Sequence, residues 1–246
     1  MRARDPSPVR ARRARIRPSP GPPGADHRRC AVDVILDNLD VFLRGFGGTL
    51  RLLGLTVLFA LPLGVVIAAM RISPVASLRA TSTVYVELLR NTPLLLVFTF
   101  FSVVITSISG ALPFMTAAVL ALTLYTAPFF AEAIRSGINS VPVGQAEAAR
   151  SIGLTFSQTL GSVILPQAVR TVIPPLINVV IALTKNTSIA GAYFIYELFN
   201  VGRDVANANG NAVVWVFVGV AFFYLIITVP LGQLADHLEK RVAVSR

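Results

Sequence analysis

The sequence predicts an all-α membrane protein with about five transmembrane helices and a helical excursion between the third and fourth. Three observations carry this reading. Hydrophobic residues make up 54% of the chain and charged residues 14%, a balance more apolar than soluble domains show. The apolar runs are long: Thr49–Met70 contains one charge, Arg51, and as a helix would extend roughly 33 Å, enough for a bilayer core. Lys and Arg also gather in alternate connections, as they do in multi-pass proteins.

Residues 1–31 precede these runs. The stretch 1–30 carries nine Arg against Asp5 and Asp26, six prolines and little apolar content. It cannot bury enough surface to offset the entropy of folding, so disorder is expected. No apolar stretch or cleavage site follows the basic run as in a signal peptide. The tail reads as a phosphate-binding arm, an anchor on anionic lipid, a dispensable extension, or the product of a start placed too far upstream. The single cysteine, Cys30, excludes an internal disulfide and leaves no thiol pair for a metal centre.

Val32–Phe46 reads as an amphipathic helix lying at the membrane surface, a unit ending near 48, with Val34, Ile35, Leu39, Phe42 and Phe46 at helical spacing. The membrane domain then covers 49–235, with spans expected near 49–70, 83–108, 112–134, 166–186 and 212–234. Residues 236–246 form the C-terminus. Arg71 and Arg79, then Arg135, Arg150 and Arg170, then Lys240, Arg241 and Arg246 fall on one face, expected to be cytoplasmic, which puts the N-terminus outside and the C-terminus inside. The nine arginines of the tail conflict with that orientation. Pro62, Pro93, Pro128, Pro174, Pro175 and Pro230 interrupt the spans, and each frees a carbonyl that neighbours or water must satisfy.

The connection 136–166 is the most specific segment. Pro142 suits a first helical turn and Gly153 a left-handed helix end, predicting a helix near 142–152. Thr155 and Gln158 match a capping box, so a second helix follows at once. Ala146, Ala149 and Gly153 make a flat stripe open to close approach, with Glu147 and Arg150 beside it and Ala148 and Ile152 on an apolar edge. A solvated helix with a Glu147–Arg150 pair is the plainer alternative.

Glu147-Ala148-Ala149, Gly153, Val163 and Leu165-Pro166 keep the spacing Glu-Ala-Ala, three residues, Gly, nine residues, Ile, one residue, Leu-Pro, with Val for Ile. In this the sequence resembles the binding-protein-dependent permeases of ABC importers. Glu87-Leu-Leu-Arg90-Asn91-Thr92-Pro93, Ala131-Glu132-Ala133-Ile134-Arg135-Ser-Gly137 and Leu183-Thr-Lys185-Asn186-Thr187-Ser188 resemble the polar amino acid branch, most closely actinobacterial glutamate permease subunits. The resemblance covers most of 33–235. It implies a type I ABC importer permease fold in a bacterial plasma membrane, with 142–154 as the coupling helix. Glu147, Ala148, Ala149, Arg150, Gly153 and Leu154 would then dock a separate ATPase. The implied partners are an ABC ATPase dimer that uses ATP and Mg, a second homologous permease in a heterodimer, and an extracytoplasmic amino-acid-binding protein. Glutamate is the cargo this implies.

Polar groups inside the spans are the pathway candidates: Arg90, Asn91 and Thr92 on the second, and Lys185, Asn186, Thr187 and Ser188 on the fourth. Lys185 either faces a pathway or ends its span and snorkels to the interface. Structural pairs, Glu87 with Arg90 and Glu132 with Arg135, are the alternative for the acidic residues. No catalytic, metal or cofactor site is expected. His27 and His237 flank no nucleophile, and neither Lys185 nor Lys240 sits in a phosphate-binding Gly-Lys-Ser/Thr loop. An ion-coupled secondary transporter or channel would instead show inverted repeats, and none is visible. Nucleic-acid binding fails because the helix–turn–helix is tethered between spans and lacks a basic recognition face.

Overall fold

The computed structural model describes residues 30–109 and 113–244. Residues 1–29 of the basic tail, and 110–112 at the start of the expected third span, lie outside the described residues. Cys30 and Ala31, expected in the tail, already belong to a helix. The described elements are helical throughout.

Helix α1 (Cys30–Asp37) ends at Asn38, whose Nδ2 donates back to the Val34 carbonyl at 2.9 Å. Helix α2 (Leu39–Ile72) then runs 34 residues without interruption. The expected surface helix over 32–46 is therefore divided at Asn38, and its second half is continuous with the first span. Gly45 and Gly48 sit where α2 is closely approached by 196–201. A Cβ at Gly48 would overlap the Tyr196 carbonyl oxygen, so the missing side chain lets a distant loop lie directly on α2.

The expected straight span over 83–108 is instead two helices. Helix α3 (Ala76–Arg90) and the apolar stretch that opens with α4 (Leu94–Thr99) meet at 99°. The cause is Asn91-Thr92-Pro93: proline lacks the N–H and drives the preceding residue out of the α region. Side chains close the last turn of α3: Thr92 Oγ1 donates to Leu88 O at 2.7 Å, and Asn91 Nδ2 joins its own N–H on Glu87 O at 2.8 Å. Beyond α4 the chain winds as a π-helix over Phe100–Ile105 and ends in α5 (Thr106–Ser109).

Helix α6 (Phe114–Asn139) leads through α7 (Val143–Ser151) to α8 (Phe156–Gln158), a π-helical turn over Thr159–Ile164, and α9 (Leu165–Asn186). Short α10 (Ser188–Ala192) and α11 (Leu198–Ala208) precede the long α12 (Val213–Val244). Four stretches, Leu39–Ile72, Phe114–Asn139, Phe156–Ala192 and Gly210–Arg241, are long and apolar enough to cross a membrane, and the bent α3–α4 pair makes a fifth if it counts as one.

The bundle has two recognisable ends. Helices α2 and α6 run parallel: Leu52 and Leu53 share a core with Ala118 and Val119 near their starts, and Arg71 meets Glu132 near their ends. Helix α9 runs the other way, Thr171 near Gly137 and Leu183 in the core with Leu122. At the far end α1 and the start of α2 pack on α11 and α12 around Phe42, Val201 and Phe223. Near the arginine-bearing end Ile67, Ala68 and Val86 pack on Ala127 and Ala131. Proline inside α6 has a specific remedy there. Pro128 cannot donate to the carbonyl four residues back, Leu124, and the Tyr85 hydroxyl donates to that oxygen at 2.8 Å instead. One bond thus repairs the ladder and pins α3 across α6.

Candidate functional site

The connection between α6 and α9 folds as the spacing predicts. Pro142 occupies the N-cap of α7, one position before the first turn. Gly153 has φ of +87°, and the closing bonds run from Gly153 N–H to Arg150 O at 2.9 Å and Leu154 N–H to Ala149 O at 3.1 Å. These are the bonds of a glycine-terminated helix. The capping box at Thr155 is complete, Gln158 N–H donating to Thr155 Oγ1 at 3.4 Å and Thr155 N–H to Gln158 Oε1 at 2.9 Å. The hairpin is therefore rigid at both ends of its turn.

Its faces differ from the expected ones at one residue. Ala149 is 4% exposed and α7 packs on the 159–164 turn, so the small-residue stripe seats α7 on its own chain instead of offering Ala149 outward. Glu147, Ala148, Arg150 and Gly153 are exposed, and Leu154 is half-buried. Val143, Ile152 and Phe156 project into solvent, Ile152 with 79% of its surface free. No ion pair joins Glu147 to Arg150 among the described residues. The outcome is a capped knob carrying one free carboxylate among exposed apolar side chains.

Beside the knob, at the same end of the bundle, lies a cluster of charges drawn from three helices. Glu132 of α6 pairs with Arg71 of α2, with Arg135 one turn on at 3.0 Å and with Arg90 of α3 at 3.6 Å. The expected Glu132–Arg135 pair is present, whereas Arg90 turns to Glu132 instead of Glu87. The bend after α3 explains this, because it ends the helix at Arg90 and brings that side chain across α6, its guanidinium 5.8 Å from the centre of the Phe129 ring. Glu87 accepts from Asn91 Nδ2 at 3.4 Å. Arg71 keeps only 12% of its side chain exposed, so removing Glu132 would leave a buried charge without its partner.

The two groups of pathway candidates are not joined to each other by any hydrogen bond or ion pair among the described residues. Arg90, Asn91 and Thr92 stand at the α3–α4 corner. Lys185 lies in the last turn of α9, exposed, within the apolar stretch that runs on to Ala192. Asn186 is half-buried, and the Ser188 hydroxyl donates to Lys185 O at 2.8 Å. Thr187 is fully buried, its hydroxyl donating to Thr184 O at 2.7 Å, so it braces the helix end. The contact nearest to a link between α4 and the 187–193 turn is the hydrogen bond between the Thr99 and Tyr193 hydroxyls, with the Phe98 and Tyr193 rings 4.9 Å apart.

Glu197 escaped the sequence reading. Its side chain is wholly buried beneath the far-end core. It caps α11 by accepting from Asn200 N–H at 2.6 Å, and it accepts from the Tyr224 hydroxyl at 2.8 Å and the Thr49 hydroxyl at 3.4 Å. Thr49 in turn accepts from Leu198 N–H at 3.1 Å. Burial pushes the Glu197 carboxyl above the usual range, opposed by those donors and by the Phe199 N–H. Little in the sequence signals it, because Glu is not among the residues favoured at an N-cap.

Comparison with known proteins places this geometry. The model of the binding-protein-dependent transport system inner membrane component family matches residues 60–244. The probable glutamine ABC transporter permease protein GlnM of Bacillus subtilis is 41% identical over 87% of this chain and 99% of its own. The glutamate transport system permease protein GluC of Corynebacterium efficiens is 40% identical over 83% of this chain and 95% of its own. A crystal structure of an amino acid ABC transporter with histidines superposes with a TM-score of 0.80 at 28% identity, covering 88% of this chain and 99% of that one. The chain is thus a multi-pass membrane protein with the fold of type I ABC importer permeases, and it belongs to the binding-protein-dependent transport system inner membrane component family.

Proposed function

We propose that this chain is the pathway-forming permease subunit of an ATP-driven amino acid importer, with the α7 hairpin as the joint to a separate ATPase. The observation that carries the reading is the knob itself: Glu147, Ala148 and Arg150 exposed on a helix closed by Gly153 and followed by the Thr155 capping box, beside apolar Val143 and Ile152. A motor must push on something stiff, and a helix seated through Ala149 on the 159–164 turn transmits displacement into α9. Family membership and the relatives named above support the same reading. In this reading the arginine-bearing end is cytoplasmic, as the excess of Lys and Arg in its connections favours. The N-terminus is then outside and the C-terminus inside. ATP and Mg are used by the ATPase pair, a second homologous permease completes the pathway, and an extracytoplasmic binding protein delivers the cargo.

For the cargo we propose glutamate, supported by the resemblance of the 87–93, 131–137 and 183–188 segments to glutamate permease subunits and by the 40% identity to GluC. Glutamine competes through the 41% identity to GlnM. Arg90, Asn91 and Thr92 at the α4 corner, and Lys185, Asn186 and Ser188 at the end of α9, are the residues we assign to the pathway walls.

The docking role is tested by Glu147→Lys. Because Glu147 has no partner within the chain's described residues, reversal of its charge is expected to leave membrane insertion and thermal stability within about 0.5 kcal/mol of wild type. Co-purification of the ATPase is expected to fall at least tenfold. Co-purification at the wild-type level removes Glu147 from the joint.

A further inference from the structure

Where α2 ends and α3 crosses it, an open cleft of about 500 Å³ is lined by Arg71, Arg79, Arg135, Thr83, Ala80 and Val84. Its charge is unbalanced. Arg71, Arg90 and Arg135 share the single carboxylate of Glu132, and Glu87 is the only other acidic group acting on Arg71. With Arg79, four guanidinium groups face two carboxylates.

The arginines are also held in place with donors to spare. Arg79 Nη1 donates to the Ser73 and Pro74 carbonyls, each at 2.8 Å, leaving its Nε and Nη2 without partners among the described residues. Arg135 is fixed on Glu132 through Nε at 3.4 Å and Nη2 at 3.0 Å, leaving Nη1. Guanidinium donors arranged this way suit the oxygens of a phosphate. The lining is apolar on its α3 side, with Ala76, Ala80 and Val84; Val84 is 67% exposed, and Leu88, one turn further along α3, is exposed as well. A soluble anion has no use for them, whereas an acyl chain does. The cleft lies where two membrane-crossing helices end, the depth at which lipid phosphates sit.

We infer that this cleft binds an anionic phospholipid, its headgroup phosphate between Arg71, Arg79 and Arg135 and its chains along Val84 and Leu88 of α3. The recognition is by the phosphate oxyanion, and the apolar α3 side selects lipid over free phosphate. The inference rests on the membrane placement of the chain and not on its cargo or its motor.

The test takes the full chain, purified in neutral detergent and equilibrated with equal amounts of phosphatidylglycerol and phosphatidylcholine, and reads retained lipid by native mass spectrometry. Phosphatidylglycerol is expected to be retained in preference. Arg79→Gln, which leaves every ion pair of Glu132 intact, is expected to lower that preference about fivefold, the effect of one arginine near an anionic surface. Arg241→Gln, the same charge change in the last turn of α12, is expected to leave it unchanged. Equal retention of the two lipids, or an unaltered ratio in Arg79→Gln, overturns the inference. So does displacement of bound lipid by excess inorganic phosphate or free glutamate, which would assign the cleft to a soluble anion.

Discussion

Tyr85 supplies the donor that Pro128 lacks. The Leu124 carbonyl is freed by the proline ring and satisfied by the tyrosine hydroxyl at 2.8 Å, so Tyr85→Phe is expected to cost about 1–3 kcal/mol, the price of a stranded buried acceptor. In a Pro128→Ala background the helix can close its own ladder, and the same Tyr85→Phe change should cost well under half as much. Thermal unfolding of the four variants in detergent checks this, and equal losses in both backgrounds would show that the hydroxyl does something else. Glu197 carries a second prediction. Its carboxyl is raised by burial, so the folded state holds a proton that the unfolded state has released. Its contribution is complete below the ordinary carboxylate pKa and is lost as pH climbs from there through the raised value, with a slope of at most about 1.4 kcal/mol per pH unit. Glu197→Gln should flatten that part of the stability profile while keeping the cap on α11. A slope unchanged in the variant would place the titrating group elsewhere.

At the scale of elements, α7 was the most legible in the sequence, because its ends are written in local chemistry. Pro142, Gly153 and the Thr155–Gln158 pair each act within four residues. The turn also makes a prediction. Nothing stands within 4 Å of a Cβ built at Gly153, so the cost of Gly153→Ala is the left-handed backbone alone, about 1–2 kcal/mol. That strain falls on the α7–α8 turn. We expect proteolysis at 150–156 to quicken several-fold while global unfolding stays within a degree or two of wild type, and cleavage at the wild-type rate would show that the turn tolerates the residue. The bend after α3 was less legible. Pro93 marked a break, but the apolar run on both sides suggested one span, and the contacts with Glu132 and Leu124 that hold α3 across α6 are made more than thirty residues away. Ala149 was misplaced for a related reason: helical spacing tells which residues share a face, not which way that face is turned.

For the whole molecule, the apolar lengths of the runs were enough to anticipate the bundle, while the ion pairs between Arg71, Arg90 and Glu132 and the buried Glu197 network depend on pairings up to 149 residues apart that no local pattern records. The charge cluster, the rigid hairpin and the seat of α7 on the turn leading into α9 lie together at one end, and that grouping is what an externally driven permease requires. Lys185, Asn186 and Ser188 lie at the opposite end of α9 from the joint, whereas Arg90 belongs to the charge cluster on the joint's side, so only the α9 contacts are separable from the drive by mutation. The most direct test is reconstitution of this chain with the proposed second permease, ATPase and binding protein in liposomes, followed by uptake of labelled glutamate and glutamine. Uptake that requires ATP and the ATPase, and that disappears with Glu147→Lys, is the expected result; uptake driven by an ion gradient in liposomes lacking the ATPase contradicts it.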